Sequence, residues 1–176
     1  MKYIKPFKQI NELQQSSEYT YEIITNENEL DKQLCIDMVA NQFIEHMSYE
    51  DSVEYLTNVV NFDISFIAKK NDEVIGCLLL GESIIDNGDI NINITDDNIN
   101  IDLSGKGLEG VALVIKPEFR KSLVIRKLLH SIYKLKQDYS YITIQQFKGM
   151  EETMNYFNKT TKIISGEYID VFYRKL

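Results

Sequence analysis

A cluster of basic side chains in the second half of the chain is the clearest chemical signal in the sequence. Five of the 19 Lys and Arg residues fall within twelve positions, at Lys116, Arg120, Lys121, Arg126 and Lys127. The formal net charge is −8, so the cluster reverses the sign of the charge locally. An apolar strand gives way to a helix here, and a helix start presents N–H groups and partial positive charge. The cluster predicts a site for an anion such as a pyrophosphate, with a solvated basic helix face as the alternative.

The segments around this cluster predict a strand–helix–strand unit. Leu108–Ile115 is an apolar run that predicts a buried strand. Apolar residues at helical spacing follow from Arg120 onward, and Tyr139–Phe147 predicts the next strand. Two strands joined by a helix of this length normally lie parallel in one sheet. We therefore expect Val111–Ile115 to run parallel to Tyr141–Gln145.

Upstream, the sequence predicts a strand and two helices. Tyr19–Thr25 is β-branched and aromatic, which is typical of a strand. Asn26 lies three residues before Glu29, a capping-box-like pair that predicts a helix extending to Met47. Ser48 predicts the start of a second helix in the same way.

Two antiparallel pairs and an insertion complete the predicted sheet. The alternating residues 62–66 and the run 73–81 form one pair around a polar turn, and 162–165 pairs with 168–174. Between 83 and 107, isoleucines alternate with Asn and Asp, which predicts an inserted hairpin with one apolar face. Its acidic side chains match no calcium-loop spacing and are expected to be solvated.

The order of these elements resembles the GNAT superfamily of N-acetyltransferases, and one motif supports the resemblance. The family motif is an apolar strand, a turn with Pro and Arg or Gln, then R/Q-x-x-G-x-G/A at the start of a helix. Here Val111–Ile115 matches the strand, Pro117–Arg120 the turn and Arg120–Ile125 the loop. The resemblance implies a mixed α/β fold: a mostly antiparallel sheet with a central parallel strand–helix–strand crossover and helices on both faces.

The same resemblance implies that acetyl-CoA or coenzyme A binds as a co-substrate. Its pantetheine amides would pair with backbone groups of Val114 and Ile115. Its pyrophosphate would lie against the loop and first helical turn, formed by Arg120, Lys121, Ser122, Leu123, Val124 and Ile125. The sequence departs from the family at Leu123 and Ile125, where glycine and glycine or alanine are expected. Glycine allows phosphate to approach the backbone closely, so these side chains either point inward or occupy the phosphate position.

Two catalytic residues follow from the resemblance. Glu109 lies eleven residues before Arg120, the spacing of a glutamate that histone acetyltransferases of the family place on the motif strand. A carboxylate there would deprotonate the attacking amine, directly or through water; the alternative is a strand-edge carboxylate in water. The family tyrosine that protonates the departing thiolate falls on Phe157, which has no proton to donate. The adjacent Tyr156 takes this role if the alignment shifts by one residue.

The acceptor is expected to be a cationic amine. His46 and Tyr49 lie between the first two predicted helices, where the family often forms its acceptor pocket; a solvated loop is the alternative. The net charge of −8 would attract an amine such as a lysine side chain, a polyamine or an aminoglycoside. The partner would therefore be a small molecule or a protein that bears such a group.

Composition argues against several other classes. With 27 Asp and Glu against 19 Lys and Arg, the chain lacks the basic surface that nucleic acids require. No apolar run approaches the roughly 20 residues of a membrane span, and 1–15 does not resemble a signal peptide. Cys35 and Cys77 match no metal spacing and are expected to be free thiols in a reducing cytoplasm. We expect no metal, and a single domain over 1–176 with an N-terminal arm over 1–20.

Two functions are consistent with these residues. The first is an acyl-CoA-dependent N-acyltransferase, in which an amine attacks the thioester directly. Glu109 would act as the base, and a backbone N–H near Val114 would polarise the carbonyl. The second is a catalytically degenerate protein of the same fold with a binding or structural role. The inserted hairpin would then be its interaction surface. An AT-rich composition bias, and a weak likeness of residues 1–12 to a phage capsid-targeting leader, are compatible with a phage origin.

Overall fold

The structure, a computed structural model, describes residues 19–25, 27–44, 46–85, 101–120, 123–147, 160–167 and 169–176. These ranges contain seven strands and three α-helices. In chain order the elements are β1 (Tyr19–Ile23), α1 (Glu29–Phe43), α2 (Tyr49–Val59), β2 (Phe66–Lys70), β3 (Glu73–Glu82), β4 (Gly107–Ile115), α3 (Val124–Ser131), β5 (Tyr141–Phe147), β6 (Thr161–Ser165) and β7 (Ile169–Lys175). Short 3₁₀ turns lie at Phe62–Ile64, Pro117–Phe119 and Ile132–Leu135.

The seven described strands form one sheet in the order β1-β2-β3-β4-β5-β7-β6. Neighbouring strands are antiparallel except β4 and β5, which are parallel and joined through α3. Helices α1 and α2 lie over one face and α3 over the other, each above its own cluster of buried apolar side chains. The predicted mixed α/β fold, with a mostly antiparallel sheet and one parallel crossover, is confirmed.

Strand β3 is central to the core because both of its faces are covered. Its eight internal positions are all buried, as a continuous apolar run predicts. Cys77 and Leu79 belong to the cluster under α1 and α2, whereas Ile75 and Leu78 belong to the cluster under α3. Burial of apolar surface is worth about 25 cal/mol per Å², so this strand anchors the layers on which the site is built.

Side-chain caps fix where the first two helices begin. Ser48 caps α2 as predicted, and its Oγ accepts a backbone N–H of the first turn at 3.1 Å. Helix α1 is capped by Asn28, whose Oδ1 accepts the Asp31 N–H at 3.1 Å, and not by Asn26 as the sequence predicted. The N–H of Ile24 still donates to the carbonyl oxygen of Ser65, just before β2, at 3.0 Å, so the chain stays extended past β1 and the helix begins later than predicted. It also ends four residues before the predicted end.

The segment before β2 is a 3₁₀ turn and not the strand that its alternation predicted. The side chain of Asn61 caps Phe62–Ile64 by accepting a backbone N–H at 3.1 Å, and this local capping curls the chain. Strand β2 begins only at Phe66. The polar turn that follows β2 is confirmed, with Asn71 and Asp72 at φ angles of 50° and 65°, which short polar side chains tolerate.

Parts of the predicted architecture lie outside the described residues. These parts are the arm over 1–18 and residues 86–100 of the inserted hairpin. Residues 101–106, on the C-terminal side of the insertion, are described and do not belong to a strand. Leu103 is buried there against Tyr141 and Tyr173, so its apolar character reflects packing onto β5 and β7. Over 86–100 the hairpin stays a prediction.

Strands β4 and β5 pair over only part of their length. The parallel pairs run from Gly107–Tyr141 to Gly110–Ile144. The predicted parallel arrangement is confirmed, but the paired residues precede Val111–Ile115, the segment that the sequence placed beside β5. The register differs because β4 is not a regular strand.

A bulge in β4 marks the point where the pairing ends. Along β3, Leu79 pairs with Ala112 and Leu80 with Gly110, which leaves Val111 as an extra residue. A bulge bends its strand and increases the local twist. Beyond it, β4 remains paired with β3 and diverges from β5.

The contact between Gly81 and α2 gives a test of this packing. A Cβ at Gly81 would lie 2.4 Å from the carbonyl oxygen of Val59, a backbone atom at the end of α2. Gly81→Ala should therefore force α2 away from β3 and lower the free energy of unfolding by about 1–3 kcal/mol, measured from urea unfolding curves. In the matched control Gly110→Ala, the nearest atom belongs to the Ile144 side chain at 3.3 Å, and the loss should be smaller. Equal losses in the two variants would contradict the close approach.

Candidate active site

The divergence of β4 and β5 leaves one edge of β4 open in the described part of the chain. Val114 and Ile115 pair with Cys77 and Gly76 of β3 on their other side. Backbone groups on an open edge can pair with the amides of an extended ligand, as a further strand would. These are the two residues that the sequence predicted to contact pantetheine.

Glu109 lies near the end of the β4–β5 ladder, where the two strands begin to diverge. It is opposite Thr143 of β5, one pair before the last, and it is only 8% exposed. Gln145, two residues further along β5, donates a hydrogen bond from Nε2 to Glu109 Oε1 at 2.6 Å. Burial raises the pKa of Glu109 above its ordinary value, and the hydrogen bond from Gln145 opposes part of that rise. A carboxylate with a raised pKa is a stronger base, so a proton acceptor lies where the strands part.

A tyrosine of α2 lies within electrostatic range of this carboxylate. Tyr55 is 37% exposed, and burial together with the negative charge of Glu109 raises the pKa of its hydroxyl. The phenol is therefore protonated at neutral pH. Sequence reasoning missed both Tyr55 and Gln145, because each is distant from Glu109 along the chain and belongs to no motif. The one available signal is the polar pair Gln145 and Gln146, which interrupts the strand's alternation with isoleucine.

Helix α3 begins without a side-chain cap. Its N-cap residue is Leu123, whose apolar side chain accepts no hydrogen bond, and its first residue is Val124. Ile125 is 8% exposed and belongs to the apolar cluster under α3, so its side chain points inward, whereas Leu123 is half-buried. Just before the helix, Arg120 donates from Nε to the carbonyl oxygen of Ile115 at 3.2 Å. The guanidinium therefore lies at the end of the open strand.

The predicted acceptor residues lie in and beside the connection between α1 and α2. His46 is exposed there. Tyr49 donates its hydroxyl to Asp37 Oδ1 at 2.6 Å, and this hydrogen bond raises its pKa. Tyr49 thus joins the two helices. Tyr55, further along α2, is the tyrosine whose pKa the charge of Glu109 raises. The other predicted site residues lie outside the described residues: Lys121, Ser122 and Tyr156.

Metal-ligand groups are absent from the described residues. In the ranges given above, no three or more His, Cys, Asp or Glu side chains form a group that could hold a metal ion. None of the helices in those ranges is long and apolar enough to cross a membrane. Cys35 and Cys77 are free and fully buried in the cluster under α1 and α2.

Several solved structures share this architecture. The chain is similar to a protein from Pyrococcus horikoshii, with 15% identity and a TM-score of 0.64 over 90% of this chain and 99% of that one. The chain is also similar to the NatC complex bound to Gag peptide and coenzyme A, with 13% identity and a TM-score of 0.60 over 90% of this chain and 99% of that one. A third similar structure is the PaiA N-acetyltransferase of Thermoplasma acidophilum in complex with coenzyme A. It has 14% identity and a TM-score of 0.57 over 90% of this chain and 99% of that one. The sequence matches no protein-family model and no curated protein sequence.

These likenesses define the class of fold. The chain has the GNAT fold of the N-acetyltransferases, as its order of elements and its motif at Arg120–Ile125 predicted. At 13–15% identity, the likeness shows the fold and not the activity.

The burial of Glu109 predicts a pH-dependent difference in stability. Because its pKa is raised, the folded protein binds this proton more tightly than the unfolded chain does. The resulting stabilisation is present at low pH and is lost as the pH rises from the ordinary pKa through the raised one. Glu109→Gln is similar in shape and uncharged. It should therefore gain stability relative to wild type as the pH rises from the ordinary pKa of a glutamate through the raised pKa of Glu109, as measured from urea unfolding curves.

A matched control is available for this measurement. Glu118→Gln removes an exposed carboxylate and controls for the loss of one negative charge. Its stability relative to wild type should vary less with pH. A difference between Glu109→Gln and wild type that is constant across the pH range would contradict the prediction.

Proposed function

We propose that the protein is an acyl-CoA-dependent N-acyltransferase that transfers an acetyl group from acetyl-CoA to an amine by direct attack. The main support is the divergence of β4 and β5, with the buried carboxylate of Glu109 at its closed end. One edge of β4 offers backbone groups to an extended thioester, and the carboxylate offers a base beside it. The NatC complex and the PaiA N-acetyltransferase, which share the fold, were each solved with coenzyme A.

Acetyl-CoA would bind as a co-substrate along the open edge of β4. Its pantetheine amides would pair with backbone groups of Val114 and Ile115, and its pyrophosphate would lie at the loop and helix start over Arg120–Ile125. The position of the Arg120 guanidinium at the end of β4 supports an anion there. The inward orientation of Ile125 also supports it, because that side chain does not cover the first turn of α3.

The reaction would proceed by addition of the amine to the thioester. The Glu109 carboxylate takes a proton from the ammonium, directly or through water, and the neutral amine attacks the carbonyl carbon. The C–S bond then breaks, the nitrogen keeps the acetyl group and releases its second proton to water, and coenzyme A leaves as a thiolate that takes up a proton. A backbone N–H near Val114 would polarise the carbonyl. Tyr156 is proposed as the source of the proton for the thiolate.

The acceptor is proposed to be a cationic amine on a small molecule or a peptide. Glu109 faces α2, since its charge acts on Tyr55. The segment 33–68, which contains α2 and most of α1, has six Asp and Glu residues and no Lys or Arg. A cationic amine would therefore be attracted to this face, where His46 and Tyr49 are proposed contacts. The anionic co-substrate would be attracted to the basic end of β4. The NatC complex, bound to Gag peptide, is a peptide-binding example of the fold.

One observation favours a second function. The family's glycine positions hold Leu123 and Ile125. A chain that kept the fold and lost coenzyme A binding would have a binding or structural role instead. We propose a cytoplasmic location for either function, because buried free thiols such as Cys35 and Cys77 are typical of a reducing compartment.

Coenzyme A binding separates these two functions. Millimolar coenzyme A should raise the melting temperature of the wild-type protein, since a ligand selective for the folded state adds about 2.7 kcal/mol at 100 times its Kd. Arg120→Ala should reduce this shift, and the reduction should be smaller at high salt, where exposed charges are screened. Lys136→Ala, which removes an exposed charge beyond the far end of α3, is the matched control. No shift with the wild type would contradict the acyltransferase proposal and favour the degenerate one.

Glu109→Gln tests the proposed base. Release of the coenzyme A thiol from acetyl-CoA would be followed with spermidine and with a lysine-containing peptide, below the free pKa of each amine. Turnover should fall by about 100- to 10,000-fold, the usual contribution of general-base catalysis. The coenzyme A-dependent shift in melting temperature should persist, and Glu118→Gln should keep its turnover. Undiminished turnover in Glu109→Gln would remove this residue from the mechanism.

A further inference from the structure

A side chain of β5 connects the two strands at the point where they part. Backbone pairing between β4 and β5 ends at Gly110 and Ile144. Gln145 is the next residue of β5, and its Nε2 donates to Glu109 Oε1 at 2.6 Å. The hydrogen bond therefore crosses the last backbone pair diagonally, from the residue just beyond it on β5 to the residue just before it on β4.

Strand geometry accounts for this contact. Side chains alternate along a strand, so Gln145 points to the same face as Thr143, which is opposite Glu109 in the register. A residue diagonal to its neighbour is within reach of a long side chain. The adjacent Gln146 points to the opposite face. The contact is thus specific to one of two neighbouring glutamines.

The amide of Gln145 constrains the carboxylate in two ways. It fixes Oε1, and so determines the direction in which Oε2 points. It also donates to a negative charge, which stabilises the ionised form over the neutral acid. Among the described residues, no other side chain donates a hydrogen bond to the Glu109 carboxylate.

The remaining groups around Glu109 do not supply this effect. Tyr55 of α2 is a neutral phenol at physiological pH, because its own pKa is raised. Gly81 of β3 is paired with Glu109 and has no side chain. Gln145 is therefore the described side chain that opposes the effect of burial on the carboxylate.

We infer that Gln145 is a positioning residue, which holds Oε1 of Glu109 and directs Oε2 toward the amine that attacks the thioester. The inference rests on the proposed function for the amine, whereas the effect on the carboxylate is a property of the protein without ligand. If Gln145 only held the two strands together, its replacement would lower the stability of the protein and leave the pKa of Glu109 unchanged. The two roles therefore differ in a measurable quantity.

The titration of Glu109 in the ligand-free protein is the decisive experiment. Its side-chain carboxyl carbon would be followed by ¹³C NMR from acidic to neutral pH, and assigned by its absence in Glu109→Gln. Gln145→Met keeps the length of the side chain and removes the donor. The pKa of Glu109 should then rise by about one pH unit, the effect expected for one hydrogen bond to a charged group. Gln146→Met, the matched control, should leave it unchanged.

Turnover provides a second readout. In Gln145→Met, the pH at which kcat/KM reaches half its plateau should rise by the same amount as the pKa of Glu109, and Gln146→Met should follow the wild type. Should Gln145→Met fail to fold, Gln145→Glu replaces it. A second carboxylate in place of the donor should raise the apparent pKa of the pair, because two adjacent like charges resist ionisation.

The outcomes separate this inference from the proposed function. An unchanged pKa of Glu109 in the Gln145 variant, or an equal rise in Gln146→Met, would overturn the positioning role. Absence of a coenzyme A-dependent shift in melting temperature would instead overturn the acyltransferase proposal. The NMR titration needs no ligand, so the first result stands whatever the second shows.

Discussion

The bulge at Val111 is the constraint on which the candidate site depends. One extra residue in β4 coincides with the end of its pairing to β5 after Gly110. Before the bulge the strands are held together, and the buried hydroxyl of Thr143 reinforces them by donating to the Leu108 carbonyl oxygen at 3.2 Å. Beyond it, β4 follows β3 alone. A continuous parallel ladder would leave no edge for a ligand and no gap for Glu109 to border.

The fold also separates charges that the overall composition conceals. A net charge of −8 describes the whole chain, yet the described members of the basic cluster lie just after β4 and in α3: Lys116, Arg120, Arg126 and Lys127. The two helices of the acidic segment 33–68, α1 and α2, lie on the opposite face of the sheet. Buried apolar layers separate the two, and charges on either side of them attract different partners. The distribution of charge is therefore more informative about ligands than its sum.

Much of the fold could be predicted from the sequence because its signals are local. The apolar run of β3, the cap at Ser48 and the polar turn after β2 each depend on a few neighbouring residues, and each is confirmed. Errors arose where two local signals competed. Asn28 caps α1 in place of Asn26, and capping by Asn61 overrides the alternation that predicted a strand before Phe66.

The candidate site was less predictable because it depends on contacts between distant segments. The motif identified Glu109, but no local pattern locates the bulge. Nor does one show that Gln145 donates to that carboxylate or that its charge acts on Tyr55. Side-chain direction at the start of α3 was equally undecided. A one-residue change in the helix start rotates each side chain by about 100°, so only the structure shows that Ile125 points inward.

The short joint between β4 and β5 has a mechanical consequence. Four residue pairs hold this joint, whereas the joints on either side of it, between β3 and β4 and between β5 and β7, have seven each. The two halves of the sheet can therefore separate at this joint at a lower cost in backbone hydrogen bonds than at either neighbouring joint. A molecule bound along the open edge of β4 would bridge the two halves of the sheet and hold them at a fixed separation. Occupancy would then change the rigidity of strands far from the gap.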